Sequence, residues 1–208
     1  MSKIKIGIAD DHQAIAHGLS YELSRVEIYS VIFSISEKKD ILRNLADNMP
    51  DVLIMDVVMP GSQGIETFRE VLTAFPDLRI IAYTALSSPM IIEMLLRAGV
   101  KGYVSKNQPL AELTEALSDV YYDRISVPED YKFILRKIRN TDKPEELSKR
   151  EIEILGLIAA EKKTHEIAEL LDLSVNTIET HRRHLFDKLN VTNLAGLIKA
   201  GFDLGYIK

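Results

Sequence analysis

The stretch PDVLIMDVVMPGSQG, residues 50–64, places a carboxylate at the end of a continuous apolar run. Residues 52–55 are all apolar, which is typical of a strand that is buried on both faces of a sheet. Asp56 follows them directly, and a buried carboxylate is costly unless it is paired. The position of Asp56 therefore needs a reason beyond the folding of the strand.

Around this stretch, short β-branched runs alternate with longer amphipathic runs as far as residue 120. The short runs predict strands at Ile4–Ala9, Ser30–Phe33, Val52–Met55, Ile80–Thr84 and Gly102–Val104. The longer runs predict helices near Ile15–Ser24, Asp40–Asp47, Ile65–Ala74, Met90–Ala98 and Leu110–Val120. Because the strands are almost wholly apolar, this (βα)5 alternation predicts a doubly wound parallel sheet with helices on both faces.

Polar residues stand where the predicted strands end. Asp10 and Asp11 follow the first strand, Asp56 the third and Lys106 the fifth, while Thr84 closes the fourth. In open α/β sheets the ligand crevice lies beyond the carboxyl ends of the strands, so these five side chains are expected to converge.

Three converging carboxylates repel one another unless a cation offsets their charge. Oxygen ligands without His or Cys favour Mg²⁺. We assign Asp10 and Asp11 mainly to the metal, and Asp56 to the metal and to nucleophilic attack on a phosphoryl group, with Lys106 stabilising the transferred oxygens. Taken singly, each residue has a structural explanation, such as helix capping by the acid pair.

The composition of the chain limits the classes of protein to which it can belong. A chain of 208 residues favours two domains, and with no Cys there is neither a disulfide framework nor a thiolate metal site. The early acids argue against a signal peptide, and no apolar run reaches membrane-spanning length, so we expect a cytoplasmic protein without membrane contact. The formal charge of -5 arises in residues 1–120, which hold 11 Lys+Arg against 16 Asp+Glu, so it does not exclude DNA binding by the rest.

After residue 121 only helical patterns occur. Residues 122–146 predict a helical linker beginning near Pro128 and ending in a hinge around 140–146. Residues 147–208 predict a four-helix, all-α domain, whose first helix opens with a capping box and an inward stripe of Ile152, Leu155 and Ile158. Two helices joined by the short turn DLS indicate a helix-turn-helix.

A helical wheel divides the third helix of that domain. Ile178, Leu185 and Leu189 face inward. The residues predicted to face outward are Asn176, Thr180, Arg183, His184 and Asp187, and Glu179 lies at the border. Of these, the candidate DNA readers are Asn176, Thr180, Arg183, His184 and Glu179. Lys149 is a candidate contact to the DNA backbone.

Residues 1–121 resemble the receiver domains of bacterial two-component response regulators, through the motifs IADDH, IMDVVMPGSQG, YTA and GYVSK in this order. The resemblance implies a flavodoxin-like fold in which Asp56 accepts phosphate from a sensor histidine kinase. It implies Mg²⁺ bound by Asp10, Asp11, Asp56 and the carbonyl of Val58, with Thr84 and Lys106 on the phosphoryl group. Tyr103 matches the switch aromatic of the family. The chain departs from the common pattern where two residues, 107 and 108, separate Lys106 from proline.

Residues 147–208 resemble the LuxR/FixJ-type helix-turn-helix domain, through ELSKREIEIL, EIAELLDLSVNTIETHRRHLFDKL and NLAGLIKAG. The resemblance implies a transcription regulator that binds double-stranded DNA as a homodimer when phosphorylated or on DNA. Its dimer interface is expected along the fourth helix, at Leu194, Leu197, Ile198 and Gly201.

Other functions remain open at this point. An aspartate-nucleophile phosphatase would need an acid two residues after Asp56, and Val58 stands there. We therefore expect no metabolic enzyme, only slow autodephosphorylation. A nucleotide-binding protein lacks support because IGIADDH has no glycine-rich turn. The main alternative is a DNA-binding regulator that works without phosphorylation and uses its receiver-like domain for dimerisation or partner binding.

Overall fold

The computed structural model describes residues 3–62, 64–140, 147–189 and 191–207. The chain forms two compact units, residues 1–141 and residues 142–208. Among the described residues, no helix has both the length and the apolarity to span a membrane.

The first unit is built on a five-stranded parallel sheet. Its strands are β1 (Ile4–Ala9), β2 (Tyr29–Ile35), β3 (Val52–Met55), β4 (Arg79–Thr84) and β5 (Gly102–Ser105). They lie in the order β2-β1-β3-β4-β5, so the chain reverses direction across the sheet between β1 and β3. The predicted α/β fold class is confirmed. The crevice at this switch point lies beside the ends of β1 and β3, where the predicted acids stand.

Five helices cover the sheet: α1 (Gln13–Ser24), α2 (Ile41–Asp47), α3 (Ile65–Ala74), α4 (Pro89–Arg97) and α5 (Leu110–Tyr121). Leu23 of α1 and Leu117 of α5 join Ile6 and Ile54 in one buried cluster. Phe68 of α3 is equally buried outside that cluster. The strands have no polar face because helices exclude water from both sides.

The linker, described here over residues 122–140, lies against the first unit. The backbone of Ser126 bonds on both sides of Gly102: Tyr103 N donates to Ser126 O and Ser126 N donates to Lys101 O, each at 2.9 Å. A 3-10 turn at Glu129–Tyr131 leads into α6 (Lys132–Asn140). Most of the hinge predicted at 140–146 falls outside the described residues.

Gly102 has a steric role at this contact. A Cβ added there would lie 2.9 Å from Ile81 Cγ1 and 3.0 Å from Val120 Cγ2, closer than real Cβ atoms normally approach. A larger residue would push β5 away from α5 at the point where the linker pairs with it.

The second unit contains α7 (Lys149–Ala159), α8 (Thr164–Leu170), α9 (Val175–Leu189) and α10 (Leu194–Asp203). The predicted capping box is present: Glu151 N donates to Ser148 Oγ and Ser148 N donates to Glu151 Oε2. One detail of the predicted stripe is wrong, because Ile154 is fully buried whereas Ile152 is only half-buried. Leu155 and Ile158 are buried as predicted, so the α7 face that packs inward is rotated by only about 50° from the predicted one, away from Ile152 and towards Ile154.

Candidate functional sites

The carboxyl ends of β1 and β3 bring the predicted acids together. Asp10 is 2% exposed and Asp56 is 3% exposed, while Asp11 is half-buried. One carboxylate oxygen from each, with a nitrogen of His12, lies within 4.8 Å of the others. The backbone pairing of β3 with β1 continues one residue beyond β3, because the N–H of Asp56 donates to Ala9 O at 2.8 Å. This bond fixes the position of Asp56. We call Asp10, Asp11 and Asp56 the acid site.

Lys106 spans two members of the acid site. Its Nζ lies 2.6 Å from Asp56 Oδ2 and 2.8 Å from Asp10 Oδ2, and its side chain is only 8% exposed. Burial alone would lower the pKa of Lys106, but the bonds to Asp10 and Asp56 outweigh it and raise that pKa. The lysine is therefore charged, and it compensates part of the negative charge of the two buried acids.

Two oxygens of the acid site lack a hydrogen bond of good geometry. Within the part of the chain that the structure describes, Asp10 Oδ2 and Asp11 Oδ1 are buried and accept none. Lys106 Nζ lies close to the first, as given above, and His12 Nδ1 lies 3.0 Å from the second, so each oxygen has a nitrogen atom nearby but no well-directed hydrogen bond. Two buried carboxylate oxygens in this condition are what a hard, oxygen-binding divalent cation would satisfy.

Thr84 and Tyr103 lie beyond the acid site on β4 and β5. Thr84 is buried, and its Oγ1 accepts a long bond of 3.4 Å from Leu86 N. Tyr103 is 1% exposed, and its hydroxyl donates to Leu86 O at 2.7 Å. Burial raises the pKa of Tyr103 to about 12, so the hydroxyl is protonated and available as a donor. Both side chains thus bond the same residue of the β4–α4 loop, residues 85–88.

The departure at residues 107 and 108 does not displace Lys106. Gln108 closes a turn, with its N–H donating to Ser105 O at 3.0 Å and its Oε1 accepting from Ser105 N at 3.4 Å. Lys106 N still donates to Thr84 O at 3.0 Å, which fixes the lysine at the end of β5.

In the second unit, α8 and α9 form the predicted helix-turn-helix. Asp172 takes a left-handed conformation, φ 52°, in the turn between them, and Ser174 begins α9 by accepting from Thr177 N at 3.1 Å. Ile178, Leu185 and Leu189 are buried, as the wheel predicts. The candidate DNA readers are all exposed on this helix: Asn176, Thr180, Arg183, His184 and Glu179. Lys149, at the start of α7, is exposed as well.

Comparison with protein families decides the class. Residues 6–118 match the family described as response regulator receiver domain, and residues 145–200 match the bacterial regulatory proteins of the luxR family. The chain belongs to the response regulators with a LuxR-type domain. It is 34% identical over 207 residues to the oxygen regulatory protein NreC of Staphylococcus carnosus, covering 94% of this chain and 95% of that protein.

Two further relatives support the same class. The response regulator GacA of Pseudomonas aeruginosa is 32% identical over 195 residues, covering 91% of each protein. Among solved structures, RcsB from Salmonella enterica serovar Typhimurium, bound to promoter P1flhDC in the presence of the phosphomimetic BeF3-, is 29% identical, with a TM-score of 0.78. That similarity covers 96% of this chain and 98% of RcsB.

Glu179 makes a contact that the sequence did not predict. Its Oε1 accepts from Thr164 Oγ1 at 2.9 Å, and Arg182 Nη1 donates to the same hydroxyl at 3.2 Å. Glu179 therefore joins the start of α8 to α9, and its carboxylate is directed at Thr164.

The four residues predicted for the dimer interface are unequally accessible. Leu197 is fully buried, and a Cβ added at Gly201 would lie 2.9 Å from Ile207 Cδ1, so both pack inside the second unit. Ile198 is half-buried and Leu194 is 46% exposed. Phe202, which sequence reasoning missed, is 49% exposed on the same helix. Its position one turn after Ile198 could have revealed it.

A group of possible metal ligands in the second unit has a structural explanation. Glu151, His181 and His184 place ligand atoms within 4.8 Å of one another. However, Glu151 Oε2 already accepts from Ser148 N at 2.7 Å and from Lys188 Nζ at 3.0 Å. Burial alone would raise the pKa of Glu151, but these bonds lower it. An ammonium group on the same carboxylate disfavours a second cation, so we assign Glu151 to holding α7 against α9.

Proposed function

We propose that this response regulator is switched by phosphorylation of Asp56, and that the switch controls dimerisation and sequence-specific binding to double-stranded DNA. The observation that carries the proposal is Lys106, which spans buried Asp10 and Asp56 at the topological switch point of the sheet. A carboxylate beside a cation can attack a phosphoryl group without a general base.

The phosphodonor is a histidine of a sensor kinase. A carboxylate oxygen of Asp56 attacks phosphorus, the P–N bond of the phosphohistidine breaks, and the imidazole leaves and takes up a proton. Lys106, 2.6 Å from Asp56 Oδ2 before transfer, stabilises the new phosphoryl oxygens. Val58, rather than an acid, stands two residues after Asp56 and is 52% exposed. Hydrolysis of the acyl phosphate is therefore slow, and the protein is a regulator rather than a metabolic enzyme.

Mg²⁺ fits the acid site. Asp10, Asp11, Asp56 and the carbonyl of Val58 would hold it, and the two buried oxygens without well-directed hydrogen bonds support that assignment. When bound, the ion would offset the charge of the carboxylates and of the phosphoryl group.

On the DNA side, α9 is the proposed reader of the major groove. Arg183 is the first choice for a guanine or phosphate contact, with Asn176, Thr180 and His184 beside it and Lys149 on the backbone. RcsB, the structural neighbour, is bound to promoter DNA in the presence of a phosphomimetic. A DNA target and a kinase partner place the proposed work of this regulator in the cytoplasm.

The test is the molar mass in solution with Mg²⁺, before and after beryllofluoride. We expect the parent to change from monomer to dimer, and Asp56→Ala to remain monomeric because it cannot hold the phosphate mimic. Asp77→Ala, which removes an exposed acid after α3, is the matched control and should behave as the parent does.

Equal responses of the parent and Asp56→Ala would contradict the proposal. Binding to DNA that is unaffected by beryllofluoride, together with an unchanged mass, would favour a regulator that works without phosphorylation.

A further inference from the structure

One histidine lies at the acid site, although the sequence predicts oxygen ligands alone. His12 Nδ1 is 3.0 Å from Asp11 Oδ1 and 3.4 Å from Asp10 Oδ1. One ligand atom from each of these three residues and one from Asp56 lie within 4.8 Å of one another. The side chain of His12 is 61% exposed, whereas that of Asp10 is 2% exposed. The imidazole ring therefore stands at the mouth of the site, where a cation would enter from solvent.

Backbone bonds fix where this ring stands. His12 N donates to Asp10 Oδ1 at 2.9 Å, and His12 O accepts from Ile15 N and Ala16 N at the start of α1. His12 is the N-cap residue of α1, yet its side chain makes no capping hydrogen bond. Helix capping favours Ser, Thr, Asp or Asn at this position, so it gives no reason for an imidazole there. The ring is held beside the acids and is not used by the helix.

The separation of His12 from Asp11 fits two ligands of one cation. Two ligands at right angles around an octahedral ion, each about 2.1 Å from it, lie about 3.0 Å apart. His12 Nδ1 and Asp11 Oδ1 have this separation, and Asp11 Oδ1 is buried without accepting a well-directed hydrogen bond from the described residues. The nitrogen thus lies beside the carboxylate oxygen as a neighbouring ligand would, and not as a hydrogen-bond donor to it.

An imidazole ligand changes which cations the acid site favours. Mg²⁺ prefers oxygen and keeps several waters, so it gains little from a nitrogen atom nearby. Divalent transition-metal ions accept imidazole together with carboxylates, and their affinity for such ligands rises from Mn²⁺ to Co²⁺. The ring nitrogen that binds a metal is the one without the proton, and Nδ1 is free to bind when the proton is on Nε2.

We propose that His12 is a further metal ligand, through which the acid site binds a divalent transition-metal ion more tightly than Mg²⁺. The inference rests on the proposed metal site of Asp10, Asp11 and Asp56, and adds the selectivity of that site. His12 Nδ1 replaces one of the waters that Mg²⁺ would keep. The cation that supports phosphorylation of Asp56 then depends on which of these metals is supplied to the protein.

The experiment is electron spin-echo spectroscopy of Mn²⁺ bound to the full chain, which detects a directly bound imidazole nitrogen. All proteins carry His184→Ala, because Glu151, His181 and His184 also bring ligand atoms within 4.8 Å of one another. We expect nitrogen modulation of the echo, its loss on His12→Ala, and its retention on His17→Ala. The last variant is the matched control, since it removes an exposed histidine of α1.

Metal affinities provide a second measurement on the same proteins. In calorimetric titrations, His12→Ala should lower the affinity for Co²⁺ at least about tenfold, because a protein ligand is lost. The affinity for Mg²⁺ should not fall, because Mg²⁺ keeps water at that position. His17→Ala should leave both affinities as they are.

The possible outcomes separate this inference from the proposed function. Binding of beryllofluoride with Mg²⁺, read by fluorine NMR, and its loss in Asp56→Ala test the proposed function alone. If Mn²⁺ binds without nitrogen modulation, or if the modulation survives His12→Ala, the role of His12 is overturned while the proposed function stands. Equal losses of Co²⁺ and Mg²⁺ affinity in His12→Ala would overturn it as well, because they would indicate general damage to the site. Failure of both Mn²⁺ and Co²⁺ to bind would have the same consequence.

Discussion

Lys106 determines how the acid site behaves before any phosphate arrives. Because its pKa is raised in the folded protein, its contribution to stability is fully present below the ordinary lysine value. That contribution is lost only as pH rises through the still higher folded value. Over the neutral range the ion bridge is therefore constant, and stability of the receiver near pH 7 does not depend on titration of Lys106.

Replacing Lys106 by Met should destabilise the receiver by about 3 kcal/mol near neutral pH, because two buried carboxylates lose their common partner. The loss should shrink when Mg²⁺ is added, because the ion offsets the same charge. Urea unfolding near pH 7, with and without Mg²⁺, measures this. Lys101→Met, which removes a partly exposed partner of Asp123, is the control and should cost under about 0.5 kcal/mol. Equal costs for the two variants would argue against the bridge.

Asp10 and Asp56 of the acid site, and Lys106 beside it, could be predicted because each directly follows a strand. Asp10, Asp56 and Lys106 do meet, as the rule for parallel sheets requires. What the sequence did not indicate is that Lys106 pairs with both acids at ion-pair distance while Thr84 bonds the β4–α4 loop. Those pairings depend on side-chain directions at the ends of four strands, and periodicity along one strand carries no such information.

At the scale of elements, α9 combines two surfaces, one for the core and one facing solvent. Glu179 stands at their border and bonds Thr164, so this candidate DNA reader also serves the packing of α8 on α9. A hydrogen bond between polar side chains therefore holds the helix-turn-helix together, in addition to its buried apolar stripe.

Glu179→Lys should therefore raise affinity for every DNA sequence and blur the preference for the specific one. A new cation near phosphate adds counterion release, and loss of the Thr164 bond loosens the angle between α8 and α9. Binding to specific and unrelated duplexes over a salt series measures both effects, and the salt slope should steepen by about one. Glu169→Lys, an equal charge change on the exposed side of α8, tests whether charge alone suffices. An unchanged slope for Glu179→Lys would refute the expectation.

The predicted bounds of the strands agree best with the observed bounds where the strands are buried on both faces. β1 and β3 have the predicted bounds, whereas β2 runs from Tyr29 to Ile35, beyond the predicted Ser30–Phe33. β2 is an edge strand, and its ends are fixed by pairing with β1, which begins at Ile4 opposite Tyr29. Pairing partners far away in the chain, rather than local composition, decide where such a strand stops.

For the whole molecule, α10 exposes apolar residues that a second copy of the chain is predicted to cover. Leu194 and Phe202 are each about half exposed, while Leu197 belongs to the core of the second unit. A pairing surface therefore has to be built from the residues that the core leaves free.

Phe202→Ser should reduce affinity for DNA with two half-sites by about tenfold, because a ring that pairing would bury is lost. Affinity for a single half-site should stay as in the parent. Titrations of the full chain on both duplexes make the comparison, and Leu42→Ser, an exposed apolar change on α2, serves as the control. An equal loss on both duplexes would instead indicate damage to the DNA-reading surface.

The linker was the part of the molecule least accessible to sequence reasoning. The sequence predicts a helix after Pro128, and the structure has α6 there, beginning at Lys132. The bonds of Ser126 to β5 and of Tyr131 to Ser87 could not, because both join residues more than twenty positions apart. Contacts of this kind arise only when the sheet is already assembled.

The backbone pairing of Ser126 has a consequence for solubility. β5 is the last strand of the sheet, and an uncovered last strand offers its free N–H and C=O groups to any other extended chain. Ser126 occupies two of these groups, at Lys101 and Tyr103. A change that unpairs Ser126 removes that cover, so a variant whose linker is detached from β5 should aggregate sooner at high concentration than the parent.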